Sequence, residues 1–235
     1  MFTNATGSLT NRLTATRRAA LGRAGVLAAV SCLTIGLAVA EPLATTAPHV
    51  EAKGKGKGGK VVTRTFSSPQ AVVINDNTTA DPYPSTIVVS GFKKGVVTDV
   101  NVTLRGYNHS YPDNVDVMLM APNGASTILM TDAGGVTDAS SLTITLDDEA
   151  ATQLPDATAL QSGSFIPSSY GVIDTFPTVP TPPSVNLSVL DGGNPNGEWR
   201  LYVVDDAAGN VGAFSGGWDL EITAKLKKKK HHGKH

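Results

Sequence analysis

Residues 194–224 read Asn-Pro-Asn-Gly-Glu-Trp-Arg-Leu-Tyr-Val-Val-Asp-Asp-Ala-Ala-Gly-Asn-Val-Gly-Ala-Phe-Ser-Gly-Gly-Trp-Asp-Leu-Glu-Ile-Thr-Ala, and this stretch decides the fold. It predicts two β-strands joined by a glycine-rich loop, because apolar residues alternate with others on both sides of the loop. Trp199 heads the apolar face of the first strand and Trp218 that of the second. Since a tryptophan buries a large surface, we expect this pair to anchor the core.

The rest of the chain after residue 40 shows short apolar or alternating segments and no long helical period. Turn residues separate these segments, and Pro122 with Gly124 predicts a tight turn that makes a hairpin of the strands beside it. Residues 150–184 are polar and proline-rich and predict a long loop. The further strands are predicted at 72–74, 85–90, 96–107, 115–120, 126–130, 142–146 and 185–189. This pattern predicts an all-β sandwich.

The first 40 residues have the pattern of an export signal. Four arginines precede an apolar run from 24 to 40, which ends in Ala38-Val39-Ala40, a small-x-small cleavage pattern. Arg17-Arg18 and their neighbours resemble a twin-arginine signal, with Ala20 where a bulky residue is usual. We therefore expect a secreted protein with no transmembrane segment after signal removal; a retained N-terminal anchor is the alternative. The chain's one cysteine, Cys32, lies in this segment, so the mature domain is expected to have no disulfide.

Charge is strongly segregated along the chain. Between residues 66 and 224 four basic residues face eighteen acidic ones, a net formal charge of -14. A lysine- and glycine-rich segment at 41–63 predicts a disordered linker, and 225–235 a basic tail around a domain at 64–224. The tail lysines Lys227, Lys228, Lys229 and Lys230 are candidates for binding an anionic cell-envelope polymer. The alternative is a solvated tail that screens the acidic domain. We expect no specific recognition of nucleic acid.

Three ordered motifs, at residues 109–124, 146–150 and 196–205, together resemble the P domain, or Homo B domain, of subtilisin-like proprotein convertases. Residues 109–124 match its central signature of a His, an Asp, an apolar strand and a Pro-x-Gly turn, with Asn114 where Asp is frequent. Residues 146–150 are similar to its Phe-x-Asp-x-Ala segment, and 196–205 to its Gly-x-Trp-x-Leu-x-Val-x-Asp strand. The resemblance covers about 72–224. It implies a jelly-roll, galactose-binding-like β-sandwich and an association with proteolysis.

Catalysis is not expected from this chain itself. It shows none of the subtilisin triad segments, and His109 is the single histidine between residues 50 and 231. We expect His109 and Ser215 to have structural roles. The preferred hypothesis is a secreted, non-catalytic binding or structural module. The alternatives are an accessory or targeting domain of a separately encoded serine endopeptidase, and an unfamiliar hydrolase that uses acidic residues.

The remaining candidate chemistry is a cluster of carboxylates. Asp116, Asp147, Asp148 and Asp205 lie at predicted strand ends or turns. Calcium takes six to eight oxygen ligands in flexible geometry, and a cation relieves repulsion between crowded carboxylates. These four residues are therefore candidate Ca²⁺ ligands. The alternative is that they cap turns on an acidic surface.

Overall fold

The computed structural model describes residues 59–171, 175–182 and 184–227, and these form an all-β sandwich of two sheets. Twelve strands and two short 3-10 turns follow one another along this part of the chain. The strands are β1 Val61–Ser68, β2 Val72–Ile74, β3 Ser85–Val89, β4 Gly95–His109, β5 Val115–Met120, β6 Ser126–Thr131, β7 Ala139–Leu146, β8 Gly163–Phe165, β9 Ser168–Ser169, β10 Gly197–Asp205, β11 Gly212–Phe214 and β12 Trp218–Leu226. The 3-10 turns span Pro112–Asn114 and Leu187–Leu190.

The two sheets divide these strands unequally. The seven-stranded sheet runs β1-β12-β4-β11-β2, with β7 paired to β4 and β8 paired to β7. The five-stranded sheet runs β3-β10-β5-β6-β9. Pairing is antiparallel except where β8 and β9 join their sheets. The predicted hairpin across Pro122 and Gly124 is confirmed, since β5 and β6 pair antiparallel.

Both tryptophans lie in the core between the sheets, as predicted, and both are fully buried. They belong to different sheets: Trp199 is on β10 and Trp218 on β12. Each indole N–H has an acceptor, the carbonyl oxygen of Pro195 at 2.9 Å for Trp199 and the hydroxyl of Ser85 at 2.9 Å for Trp218. A buried indole therefore costs no unmet hydrogen bond at either position.

The first tryptophan strand departs from simple alternation. Tyr202 and Val204 face away from the main core, yet they are buried with Met118 in a second apolar cluster. Phe176 and its neighbours in the proline-rich loop cover that cluster, and the hydroxyl of Tyr83 donates to the carbonyl of Pro177 at 2.9 Å. Part of the outer face of β10 is therefore shielded from solvent, because residues of the predicted loop 150–184 pack across it.

Several local predictions differ from the structure. The segment 150–184, predicted as a long loop, contains the short strands β8 and β9, and the loop predicted between the two tryptophan strands contains β11. Residues 185–189 do not form a strand. Leu187–Leu190 forms a 3-10 turn in which Leu187 and Leu190, three residues apart, are both buried. The three-residue spacing matches the period of a 3-10 turn and not that of a strand. A strand not predicted, β1, pairs with β12 along its whole length from Val61 to Ser68.

Strand β1 begins within the segment predicted as linker, and β12 extends through Leu226 into the segment predicted as tail. Main-chain pairing extends both elements, since the amide of Leu226 donates to the carbonyl of Lys60 at 2.7 Å. The predicted signal at 1–40, residues 41–58 of the predicted linker, and the end of the tail from 228 onward lie outside the described residues. No helix in the described part is long and apolar enough to cross a membrane.

Candidate functional site

Strand β4 connects two groups of acidic residues, one near each of its ends. Near its start, Asp99 lies in a crevice with Asp148, Glu149 and Asp191. At its last residue, His109 contacts Asp205 of β10. The two groups are separated by much of the strand, whose residues rise about 3.3 Å each.

The crevice forms where the end of β7 meets the 3-10 turn Leu187–Leu190. The Asp148 carboxylate accepts the amide N–H groups of Leu187 at 3.0 Å and of Ser188 at 2.8 Å, so it caps the start of this turn. Asp147 accepts the amide of Glu149 at 2.8 Å. The crevice encloses about 20 Å³, which is room for a water-sized group and too little for an organic ligand.

The pKa values of three carboxyls at this crevice are raised, two of them mainly by burial. Burial, and then the charge of Asp147, raises the pKa of Asp99 above its ordinary value of 3.8. Burial, and then Asp99 and Asp148, raises the pKa of Asp191. A hydrogen bond with Asp147 is the main cause that raises the pKa of Glu149. All three pKa values are raised, so desolvation and repulsion between carboxylates outweigh the hydrogen bonds that stabilise the charged forms.

We expect Asp99→Asn to raise the midpoint of thermal unfolding at pH 7 by about 1–3 °C, a small effect because the crevice opens to solvent. The raised pKa of Asp99 means that the folded protein holds its proton more tightly than the unfolded chain. That contribution is fully present below pH 3.8 and is lost as pH rises through the raised pKa. The gain from the substitution should therefore vanish near pH 3.8.

The control for this variant is Asp138→Asn, which removes the same charge from an exposed loop residue between β6 and β7. Calorimetric scans of both variants from acidic to neutral pH make the comparison. An equal rise in both would show that net charge, and not the crevice, sets the effect.

The second group, at the end of β4, is the buried polar pair of His109 and Asp205. The Nε2 atom of His109 lies 3.0 Å from Oδ2 of Asp205, and both side chains are fully buried. Nδ1 of His109 lies 2.9 Å from the carbonyl oxygen of Tyr111. The other oxygen of Asp205 accepts the amides of Asn77 at 3.3 Å and Ala207 at 3.1 Å. This network holds the ends of β4 and β10 and two loops in one arrangement.

Asp116 is buried on β5, the strand next to β10, where it is opposite Val204. Burial, followed by the charges of Asp116 and Asp205, raises the pKa of Tyr107 well above its ordinary value. The phenol therefore stays neutral, and its hydroxyl donates to the carbonyl of Pro112 at 3.4 Å.

The structure separates the four predicted metal ligands into two pairs. Asp116 and Asp205 lie near the end of β4, whereas Asp147 and Asp148 follow Leu146, which pairs with Val102. Val102 and His109 are seven residues apart on β4, roughly 20 Å. Within the described residues no three His, Cys, Asp or Glu side chains are grouped to hold a metal. Asp148 accepts two amide N–H groups of the 3-10 turn Leu187–Leu190, and the buried Asp205 accepts the amides of Asn77 and Ala207.

The residues considered for hydrolysis have structural contacts. The hydroxyl of Ser215 donates to the carbonyl of Gly106 at 3.0 Å, and His109 is 2% exposed with its Nε2 on Asp205.

Of the predicted tail lysines, Lys227 is described and exposed, directly after β12. Lys228, Lys229 and Lys230 lie outside the described residues. Sequence reasoning missed Asp99 and Asp191 as partners of Asp148, since they come from distant segments.

Comparisons with known proteins do not assign the chain to a family. No protein-family model matches the chain, and no curated protein matches it. A solved structure of an Aeromonas sobria serine protease in complex with a chaperone is similar at 11% identity and a TM-score of 0.36, over 72% of this chain and 28% of that one. A structure of the Aeromonas sobria serine protease gives 11% identity and a TM-score of 0.34, over 70% and 27%. The chain spans less than a third of the length of either.

Proposed function

We propose that this chain is an exported, non-catalytic β-sandwich module that binds or supports another component outside the cell. The observation that carries the proposal is the position of His109, the one histidine among the described residues. It is buried between a carbonyl oxygen and Asp205, and this position supports a structural role. The crevice at Asp99 is small, about 20 Å³, well below the volume of a typical ligand pocket.

Two measurements on the purified full chain test the proposal. Cell fractionation with an antibody is expected to find the protein outside the cytoplasm. Hydrolysis of casein and of a small ester is expected to match buffer alone. Hydrolysis that Ser215→Ala or Asp148→Asn abolishes, while the variant keeps its thermal midpoint, would overturn the non-catalytic assignment.

The second candidate function is accessory to a separately encoded serine endopeptidase. The P-domain resemblance suggests it, and one contact supports it: His109 of the first motif bonds Asp205 of the third. The test is affinity capture of the tagged chain from its own culture, followed by labelling with a fluorophosphonate probe for active serine hydrolases. A labelled protease that co-purifies at a constant ratio supports this function, and capture with no labelled band contradicts it.

Calcium enters the proposal as a weak, diffuse stabiliser of the crevice and not as a ligand of all four predicted aspartates. Both oxygens of Asp148 already accept backbone N–H groups, which leaves few oxygens for a centre that needs six to eight. We expect millimolar Ca²⁺ and Mg²⁺ to raise the thermal midpoint equally, by about 1–2 °C, as charge screening does. A rise specific to Ca²⁺ that exceeds this and saturates would show a true site.

A further inference from the structure

All lysines in the described part of the chain lie at one end of the sandwich. They come from three segments that are far apart in sequence, and each is exposed. We call this surface the basic end; it consists of Lys60, Lys93, Lys94, Lys225 and Lys227. The basic residues elsewhere between 66 and 224 are Arg105 and Arg200, which pair with Asp219 and Glu198.

Main-chain hydrogen bonds place the three segments side by side. The amide of Leu226 donates to the carbonyl of Lys60 at 2.7 Å, and the amide of Lys227 donates to the carbonyl of Lys94 at 3.2 Å. The start of β1, the end of β12 and the start of β4 are therefore neighbours, spaced about 4.8 Å apart as strands in a sheet are. The basic end is therefore formed by a row of neighbouring strand ends.

The loop that carries Lys93 and Lys94 is anchored through the preceding residue, Phe92. Phe92 is buried, and the side chain of Asn196 bonds its amide at 2.9 Å and its carbonyl at 2.8 Å. The guanidinium of Arg64 lies 5.1 Å from the centre of the Phe92 ring. The backbone positions of the two lysines are thus set before any partner binds, which reduces the entropy lost on binding.

The sequence continues the positive charge on both chain segments that leave this end. Lys53, Lys55 and Lys57 precede Lys60, and Lys228 to Lys230 follow Lys227. The remaining surface belongs to a domain whose formal charge between residues 66 and 224 is -14. An anionic partner is attracted to the basic end and repelled elsewhere, so the charge distribution orients the molecule end-on.

We propose that the basic end docks onto an extended surface of anionic phospholipid headgroups. A row of strand ends suits contact with a flat surface, whereas a linear polymer is usually bound along a groove. Lysine is a hydrated point charge without the planar fork of arginine, which suits diffuse attraction to many phosphates. The aromatic ring at this end, Phe92, is buried and offers no stacking surface for bases. Val61, 58% exposed beside Lys225, adds apolar contact.

The proposal deepens the binding role proposed above, and it rests on that role. The test is co-sedimentation of the full chain with vesicles of phosphatidylcholine alone and with 30% phosphatidylglycerol added. We expect binding to the anionic vesicles alone, and a loss of binding of tenfold or more between low and physiological salt. Lys93→Gln/Lys94→Gln is expected to weaken partition at least fivefold, with the thermal midpoint unchanged because both side chains are exposed.

The matched control is Arg105→Gln/Arg200→Gln, which changes the net charge equally. Arg105 lies roughly 35 Å along the strand direction from Lys94, which directly precedes β4. We expect it to change partition less than twofold. Equal loss in the two double variants would overturn the proposal, and so would an unchanged Lys93→Gln/Lys94→Gln variant. Binding of heparin, polyphosphate or DNA without binding to anionic vesicles would also overturn it. None of these outcomes alters the tests of catalysis or of protease capture.

Discussion

Asp205→Ala is expected to lower the free energy of unfolding by about 3–5 kcal/mol, because it leaves the buried His109 and two backbone amides without their acceptor. The lost carboxylate also served the amides of Asn77 and Ala207, so up to three donors lose an acceptor. A buried donor without a partner costs more than the net gain of a typical hydrogen bond. Urea unfolding of the variant and the native chain measures the difference.

Asp76→Ala is the control for that variant. Asp76 is an exposed aspartate in the neighbouring loop, and its carboxylate accepts the amide of Gly209 at 2.7 Å. We expect it to cost about 1 kcal/mol or less, since water replaces an exposed acceptor. A comparable loss in both variants would contradict a special role for burial.

A double-mutant cycle then isolates the pair itself. His109→Ala removes the partner, so Asp205→Ala should cost less in that background than in the native chain. Strict additivity of the two substitutions would show that His109 and Asp205 are not energetically coupled.

Gly217→Ala is expected to destabilise the fold by about 4 kcal/mol or more, or to prevent folding. Gly217 has a φ of +69°, a conformation that L side chains rarely adopt. A Cβ there would overlap the carbonyl oxygen of Ser68 and lie 2.7 Å from that of Gln70. Ser68 is the last residue of β1 and Gln70 follows it, so these backbone atoms cannot move without breaking the pairing with β12.

Gly192→Ala is the matched control, since Gly192 has a similar φ of +81° but no atom within 4 Å of a new Cβ. We expect it to cost about 1–2 kcal/mol, the penalty of the backbone conformation alone. Urea midpoints of the two variants separate the steric cost from the conformational one. Equal costs would show that the approach of Gly217 to the chain after β1 is not constraining.

Local pattern was enough to predict most strands of this fold. Alternation over 96–107 predicted β4, and Pro122 with Gly124 predicted the β5–β6 hairpin, because side-chain period and turn chemistry depend on adjacent residues. Strand β1 was not predicted, because it directly follows a lysine- and glycine-rich segment in the sequence and its first residues were assigned to that segment. The 3-10 turn Leu187–Leu190 escaped because its N-terminal cap, Asp148, is supplied by a distant strand end.

The sequence by itself determined an all-β domain, a core anchored by two tryptophans, and an acidic body between basic ends. Only the tertiary structure decided that Trp199 and Trp218 belong to opposite sheets, and that His109 meets Asp205 from 96 residues away. It also divided the four candidate metal ligands and brought Lys60, Lys94 and Lys227 to one end. The physical reason is that strand order and register follow from packing across the whole domain, whereas alternation is a property of each segment alone.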